Sequence, residues 1–172
     1  MPNLIFKVKN YTNEDVIEKL VDYIMSSIYL ENYDMRGCFV VPNQNIAEGV
    51  SASFHAAKNI YDKANGQLVQ HIIVGFGDMN VSEEQVCMVA CAISDYFFVR
   101  GYQLFWGSHW GSEGSDSYHH IHIALNNVNV MTGERFSVSY DNMGKLKDCL
   151  VKLFPGVPWN YLTDESFYHE NT

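Results

Sequence analysis

Two apolar segments joined by a short polar loop constrain the fold of this chain more than any other feature. Residues 102–110 (YQLFWGSHW) and 118–128 (YHHIHIALNNV) both have the composition of strands, and residues 111–117 between them are only Gly, Ser and acidic residues. Such a loop is typical of a connection between neighbouring antiparallel strands. The sequence therefore predicts that these two segments pair in a sheet.

The rest of the chain alternates between strand-like and helix-like patterns. Further strands are predicted at 4–9, 68–76 and 131–139, and helices at 14–28, 46–65, 83–100 and 141–154. Together these elements predict an α+β fold with a central antiparallel sheet of about five strands flanked by helices. We expect one domain over residues 1–155 and an irregular C-terminal tail over 156–172.

Composition narrows the class of protein. With 172 residues, 47% of them hydrophobic, the chain can bury one sizeable core. No apolar run reaches the ~18 residues of a membrane helix, and the N-terminus does not resemble a signal peptide, so we expect a cytoplasmic protein without a membrane segment. The four cysteines are scattered, which predicts reduced thiols rather than disulfides or a zinc site.

The net charge is unusual for a protein that binds nucleic acid. Eleven Lys and Arg against twenty Asp and Glu give a net charge of −9, whereas DNA-binding proteins usually carry a basic surface. A role on DNA requires that basic residues cluster on one face. The candidates are Lys7, Lys9, Arg36, Lys58, Lys63 and Arg135.

Four of the seven histidines lie within residues 109–122. On a strand, His120 and His122 project to the same side about 7 Å apart, and His109 arrives beside them if its strand is the antiparallel neighbour. Three neutral imidazoles on one face suit a divalent transition metal and leave positions for water or substrate. The pattern H-x10-H-x-H therefore predicts a catalytic metal site.

Other histidines and acids near this pattern have less specific interpretations. An isolated H-x-H pair is often solvent-facing filler, and His119 points to the other face of its strand, which favours a surface or supporting role. Glu113 and Asp116 lie in the loop between the strands, where they are candidates to orient an imidazole or to add a ligand.

Three segments, in order along the chain, resemble motifs of plasmid mobilisation relaxases, which are HUH-type endonucleases. The segment HIHIALNNVNVMTGERF (120–136) is similar to the histidine motif of that family, with Asn126 at a matching position. The segment QHIIVGFGDMNVSEEQV (70–86) resembles an H-x-x-x-S-F motif that begins at His71, with Gly75 where Ser is usual. The segment KLVDYIMSS (19–27) resembles the motif that presents a nucleophilic tyrosine.

The resemblance implies a function and a set of site residues. It implies an HUH-type fold, a divalent metal (Mg²⁺ or Mn²⁺) held by His109, His120 and His122, and Tyr23 as the nucleophile. It implies single-stranded DNA at a transfer origin as the partner, with accessory mobilisation proteins as further partners. His71 and Asn126 become candidates to support the ligands or to contact substrate.

The position of Tyr23 agrees with this role, because it falls at the margin of the apolar face of its predicted helix. Its neighbouring rivals are Tyr11, Tyr29 and Tyr33. In a replication initiator of the same superfamily the nucleophile follows the histidine motif, which would favour Tyr140 or Tyr161. Aromatic residues near the site could add stacking on unpaired bases, and the candidates are Phe39, Trp106, Trp110 and Tyr118. For Trp106 and Phe39, packing in the core is an equally supported role.

Two functional hypotheses follow. The first is a metal-dependent relaxase that nicks one DNA strand through a covalent phosphotyrosine. The second is a non-catalytic module of relaxase type that binds single-stranded DNA or a protein, and the net charge of −9 motivates it.

Overall fold

The computed structural model of the protein describes residues 2–7, 11–26, 29–77, 79–112 and 115–163, with backbone only at 112, 115–117, 162 and 163. Over this part of the chain there are six strands and four helices. In chain order they are β1 (Asn3–Lys7), α1 (Val16–Ser26), β2 (Leu30–Arg36), α2 (Ile46–Ile60), β3 (Val69–Gly75), α3 (Glu83–Phe98), β4 (Tyr102–Ser112), β5 (Ser115–Asn129), α4 (Tyr140–Leu153) and β6 (Asn160–Thr163).

The strands form a single mixed sheet in the order β2-β4-β5-β3-β1-β6. Every neighbouring pair is antiparallel except β1 with β6, which is parallel. The predicted pairing of the two apolar segments is confirmed, since β4 and β5 are antiparallel neighbours with His109 opposite His120. The prediction of an α+β fold is also confirmed.

Helices cover both faces of the sheet, and strand alternation separates the two cores. Helices α3 and α4 pack against Leu4, Ile72, Ile121 and Ile123, all fully buried. Helices α1 and α2 pack against the other face, where Phe105 and Ala124 lie. The histidines at 109, 120 and 122 share the parity of Phe105 and Ala124, so they belong to the face covered by α1 and α2. We call this the site face.

Two strands were missed by the sequence analysis, and both lie at an edge of the sheet. The sequence of β2, LENYDMR, has no fully buried position and carries the charges expected of an edge strand, so it lacks a strong apolar signal. Strand β6 has four residues and lies in the segment expected to be an irregular tail. With these two strands the sheet has six strands rather than about five.

The predicted strand at 131–139 is wrong. The side-chain oxygen of Asn129 accepts hydrogen bonds from the backbone N–H groups of Met131 and Thr132, and Gly133 has φ of 74°, so the chain turns sharply there. Only an isolated bridge between Arg135 and Val128 follows. Local side-chain hydrogen bonds of this kind compete with the ladder of a strand.

The helix predictions hold except at their ends. The predicted S-x-x-Q capping box of α3 is present, with Ser82 and Gln85 bonding each other's backbone N–H. Helix α2 ends at Ile60 rather than near Asn65. Among the helices of the described residues, none has both the length and the apolar character to cross a bilayer. All four cysteines are free thiols.

Candidate functional site

The hairpin of β4 and β5 brings three histidines together. His109 is directly opposite His120 in the register, and His122 follows two residues later on the same face. One ring nitrogen from each of the three residues lies within 4.8 Å of the others. The predicted juxtaposition of His109, His120 and His122, hereafter the histidine cluster, is therefore present, and the cluster can hold a metal ion.

Burial keeps the histidine cluster uncharged. His109 and His122 are 3% and 4% exposed, and His120 is half-buried. Loss of hydration lowers the pKa of His109 and His120 and lowers that of His122 well below its ordinary value. A neutral imidazole has a free lone pair, which is the form that binds a metal.

The hydrogen bonds of the cluster leave one nitrogen of each ring available. Nε2 of His109 donates to the carbonyl of Ile24 at 3.0 Å, and Nδ1 of His120 donates to the carbonyl of Tyr118 at 3.4 Å. Nδ1 of His122 is 3.0 Å from Nε2 of His71, while Nε2 of His122 is buried without a partner. Buried polar atoms are rarely left unpaired. In each of the three imidazoles one nitrogen is hydrogen-bonded and the other can bind a metal, which fits a metal site.

Tyr23 lies directly beside the histidine cluster. It extends from α1, and its ring centroid is 5.2 Å from that of His122 and 6.4 Å from that of His109. The side chain is 52% exposed, so its position at the margin of the apolar helix face agrees with the sequence analysis. Tyr23 therefore stands between the cluster and solvent.

The rival tyrosines lie elsewhere or have other contacts. Tyr33 packs on Phe105, with 6.2 Å between the ring centroids. Tyr140, the first residue of α4, contacts Tyr161 at 6.3 Å between ring centroids, and both lie on the opposite face of the sheet. Tyr11 does belong to the site, since its hydroxyl is 2.7 Å from Nδ1 of His71. The sequence analysis had listed Tyr11 only as a rival nucleophile.

His71 links Tyr11 to the histidine cluster. It lies on β3, is 5% exposed, and contacts Tyr11 through Nδ1 and His122 through Nε2. Burial lowers the pKa of His71 to about 3, and the positive charge of Lys7 contributes. The structure thus brings together a continuous series of side chains from His122 through His71 to Tyr11.

Asn126 is not brought to the histidine cluster. It shares the site face with His122 but lies four residues along β5, roughly 13 Å at the usual rise of a strand. It is fully buried, accepts a hydrogen bond from Lys58 and donates to Gln103 Oε1 at 2.7 Å. Glu113 lies outside the described residues, as does the side chain of Asp116.

Burial decides two alternatives that the sequence left open. Trp106 is 2% exposed and packs in the core with α3, so it cannot stack on a base, whereas Trp110 and Phe39 are 43% and 49% exposed. His119 is 8% exposed rather than a surface residue, with its ring 4.2 Å from that of Trp110 and Nδ1 3.0 Å from Glu31. It lies on the face of β5 opposite to the histidine cluster.

A cleft beside Tyr23 is the part of the site that the sequence did not indicate. It has a volume of about 420 Å³, and its lining includes Lys7, Lys19 and Ile73 together with Tyr23 and His122. Strand alternation placed Lys7 on one face of β1, but the pairing of β1 with β3 could not be read from the sequence. Without that pairing, nothing connects Lys7 to the histidines.

Comparison with protein families gives a match over most of the chain. The model of a family described as "Relaxase: MobA/VirD2-like, nuclease domain" matches residues 23–154, which include Tyr23 and all three members of the histidine cluster. No protein with a curated description matches the chain.

Proposed function

The chain belongs to the MobA/VirD2-like relaxase nuclease-domain family, and from this membership and the geometry of its site we propose that it nicks one strand of DNA through Tyr23. Membership of this family supports a function as a mobilisation nuclease. The finer proposal is cleavage of single-stranded DNA at the transfer origin of a plasmid or other mobile element, in the cytoplasm where that DNA resides, with help from accessory mobilisation proteins.

One observation carries the proposal. Tyr23 packs against His109 and His122, and each of the three imidazoles of the histidine cluster has a nitrogen that bonds to no protein group among the described residues. We assign His109, His120 and His122 as ligands of Mg²⁺ or Mn²⁺. Three protein ligands leave coordination positions for the oxygens of a phosphate.

The proposed reaction explains why a metal and a tyrosine would lie together. A free phenol titrates near pH 10, so only about one in a thousand is ionised at pH 7, a deficit of roughly 4 kcal/mol. A divalent ion bound there supplies positive charge to the phosphate oxygens. Tyr23 gives its proton to water as its Oη bonds to phosphorus, the bond from phosphorus to the leaving sugar oxygen breaks, and that oxygen takes a proton from water to become a hydroxyl. The covalent link conserves the phosphodiester for religation.

His71 has a positioning role in this proposal. When Nε2 of His122 serves as ligand, Nδ1–H of His122 donates to His71 Nε2, and His71 Nδ1–H donates to the hydroxyl of Tyr11. Hydrogen bonds of this kind fix the tautomer and the ring orientation of a metal-ligating histidine. Glu113, between β4 and β5 in the sequence, and Asp116, in β5 rather than in the predicted loop, stay candidates for a further supporting group.

The decisive experiment is a covalent trap. A pool of labelled random single-stranded oligonucleotides is incubated with the protein and Mn²⁺ or Mg²⁺, and adducts that survive denaturing electrophoresis are counted. We expect adducts with wild type and with Tyr33→Phe, a matched exposed tyrosine, and none with Tyr23→Phe or His120→Ala. Adducts in Tyr23→Phe at the wild-type level would refute the assignment of the nucleophile.

The alternative is a non-catalytic module that binds single-stranded DNA or a protein, and the net charge of −9 favours it. Of the basic residues considered for a DNA-binding face, Lys58 is fully buried and adds nothing to the surface. This alternative predicts oligonucleotide binding without any adduct in the same trap. This alternative module binds a metal or does not, so metal titration is informative in one direction: an absence of metal binding by wild type would indicate a degenerate site.

A further inference from the structure

The cleft beside Tyr23 has the position of a substrate site. It lies on the site face, where α1 leaves strands β1 and β3 partly uncovered. Tyr23 and His122 contribute to its lining, as do Lys7 from β1 and Lys19 from α1. Its volume of about 420 Å³ is within the range of small-ligand pockets. Anything bound in the cleft would therefore lie next to the proposed reaction centre.

The charge in this cleft is opposite to that of the whole chain. Among the described residues its lining includes two lysines and no carboxylate, although the chain carries −9. Lys19 is paired with Asp15 at 2.6 Å on the exposed surface of α1. Among the ion pairs of the described residues none involves Lys7, and the charge of Lys7 contributes to the lowered pKa of both His71 and His122. Lys7 therefore gives the cleft its local positive charge.

Strand β3 forms one side of the cleft. Ile73 lines it, and two residues further along β3 on the same face is Gly75, which faces His120 in the register. A Cβ at Gly75 would meet no atom within 4 Å. The uncovered strip from Ile73 to Gly75 runs alongside the histidine cluster.

We propose that this cleft binds the nucleotide adjacent to the scissile phosphate of single-stranded DNA, with Lys7 pairing with the neighbouring backbone phosphate. The proposal rests on the proposed function and deepens it by naming a substrate contact. It also accounts for DNA binding by an acidic chain, because a local positive charge at the cleft takes the place of a basic surface.

The test measures DNA binding without catalysis. Fluorescence anisotropy with labelled (dT)12 is recorded in EDTA across a salt titration, for wild type, Lys7→Gln, Lys7→Arg and Lys152→Gln. Lys152 is an exposed residue of α4, on the opposite face of the sheet. Each phosphate contact contributes about 0.7 to the slope of log affinity against log salt for single strands.

We expect Lys7→Gln to lower the magnitude of the slope by about 0.7 and to weaken binding severalfold at low salt, while Lys7→Arg and Lys152→Gln keep the wild-type slope. Thermal unfolding of each variant confirms that it is folded. An unchanged slope in Lys7→Gln, an equal loss in Lys152→Gln, or no binding of (dT)12 by wild type would overturn the inference. The covalent trap tests the proposed function separately. If wild type forms adducts but Lys7→Gln leaves the salt slope unchanged, the role of the cleft is refuted and the proposed function stands.

Discussion

Two buried polar clusters lie on the same face of β5, and they differ in how their hydrogen bonds are satisfied. The histidine cluster leaves Nε2 of His122 buried without a partner. Four residues along the strand, Lys58, Gln103 and Asn126 form what we call the amide cluster. Asn126 there accepts from Lys58 and donates to Gln103 and to the carbonyl of Phe54, and Gln103 donates to the carbonyl of Gly37.

The difference separates a structural role from a functional one. A polar group whose donors and acceptors are all bonded inside the protein has no capacity left for a ligand, and its removal leaves several partners unpaired. A buried polar group with an unpaired atom costs stability unless something binds there. We infer that the amide cluster ties α2 to the sheet, whereas the histidine cluster is arranged for a bound ion.

The largest expected effect is in the amide cluster. Asn126→Ala leaves Lys58, Gln103 and the Phe54 carbonyl without their partner in a fully buried region. We expect a loss of about 3 kcal/mol in the free energy of unfolding, measured by urea denaturation. Asn80→Ala, at an exposed position between β3 and α3, serves as control and should change stability by no more than about 0.5 kcal/mol.

A loss below about 1 kcal/mol in Asn126→Ala would contradict the structural role of the amide cluster. It would mean that water reaches the freed groups, and the distinction between the two clusters would then fail.

The histidine cluster could be predicted from the sequence because its three residues lie close together along the chain, on two consecutive strands. Alternation along one strand and a short hairpin loop are enough to bring His109, His120 and His122 together. The contacts of His71 with His122 and of Lys58 with Asn126 join residues 51 and 68 positions apart, so they depend on strand order and helix packing. For the same reason Asn126 looked like a site residue, since its proximity in sequence does not reveal its partners.

The edge strands were missed for a different reason. Both β2 and β6 lie at an edge of the sheet, so they need not carry the continuous apolar signal of a central strand such as β3. Conversely, the segment 131–139 has a strand-like composition but is held in a turn by the side chain of Asn129. Composition alone does not reveal that competition.

The second prediction tests whether the histidine cluster binds a metal. With Mn²⁺ at 100 times its dissociation constant, wild type should gain about 2.7 kcal/mol in free energy of unfolding, measured as a shift in urea midpoint. His120→Ala should show no such gain, and in EDTA its stability should stay within about 1 kcal/mol of wild type, because His120 is only half-buried. An equal gain in both proteins would place the ion elsewhere.

The third prediction concerns pH and the amide cluster. Burial, with a contribution from Arg135, lowers the pKa of Lys58 from 10.5 to about 7. Between these values the unfolded chain holds a proton that the folded protein has released, so stability rises with pH. We expect a gain of about 2 kcal/mol from pH 6.5 to 8.5 that Lys58→Met lacks. The measurement is the difference between the two proteins at each pH, and parallel curves would show that Lys58 keeps an ordinary pKa.

The smallest expected effect is at the open side of the histidine cluster. Gly107 and Gly75 are the neighbours of His122 and His120 on the adjacent strands, but a Cβ at Gly107 would lie 2.6 Å from Ile24, while one at Gly75 would meet nothing. Gly75→Ala should therefore stabilise the fold by about 0.5 kcal/mol, because alanine loses less backbone freedom than glycine on folding. Gly107→Ala should cost about 1 to 3 kcal/mol by overpacking against α1. The free energy of unfolding of both variants is measured by urea denaturation in EDTA. A destabilised Gly75→Ala would show that the strip beside His120 is closed, and the cleft would then end at Ile73.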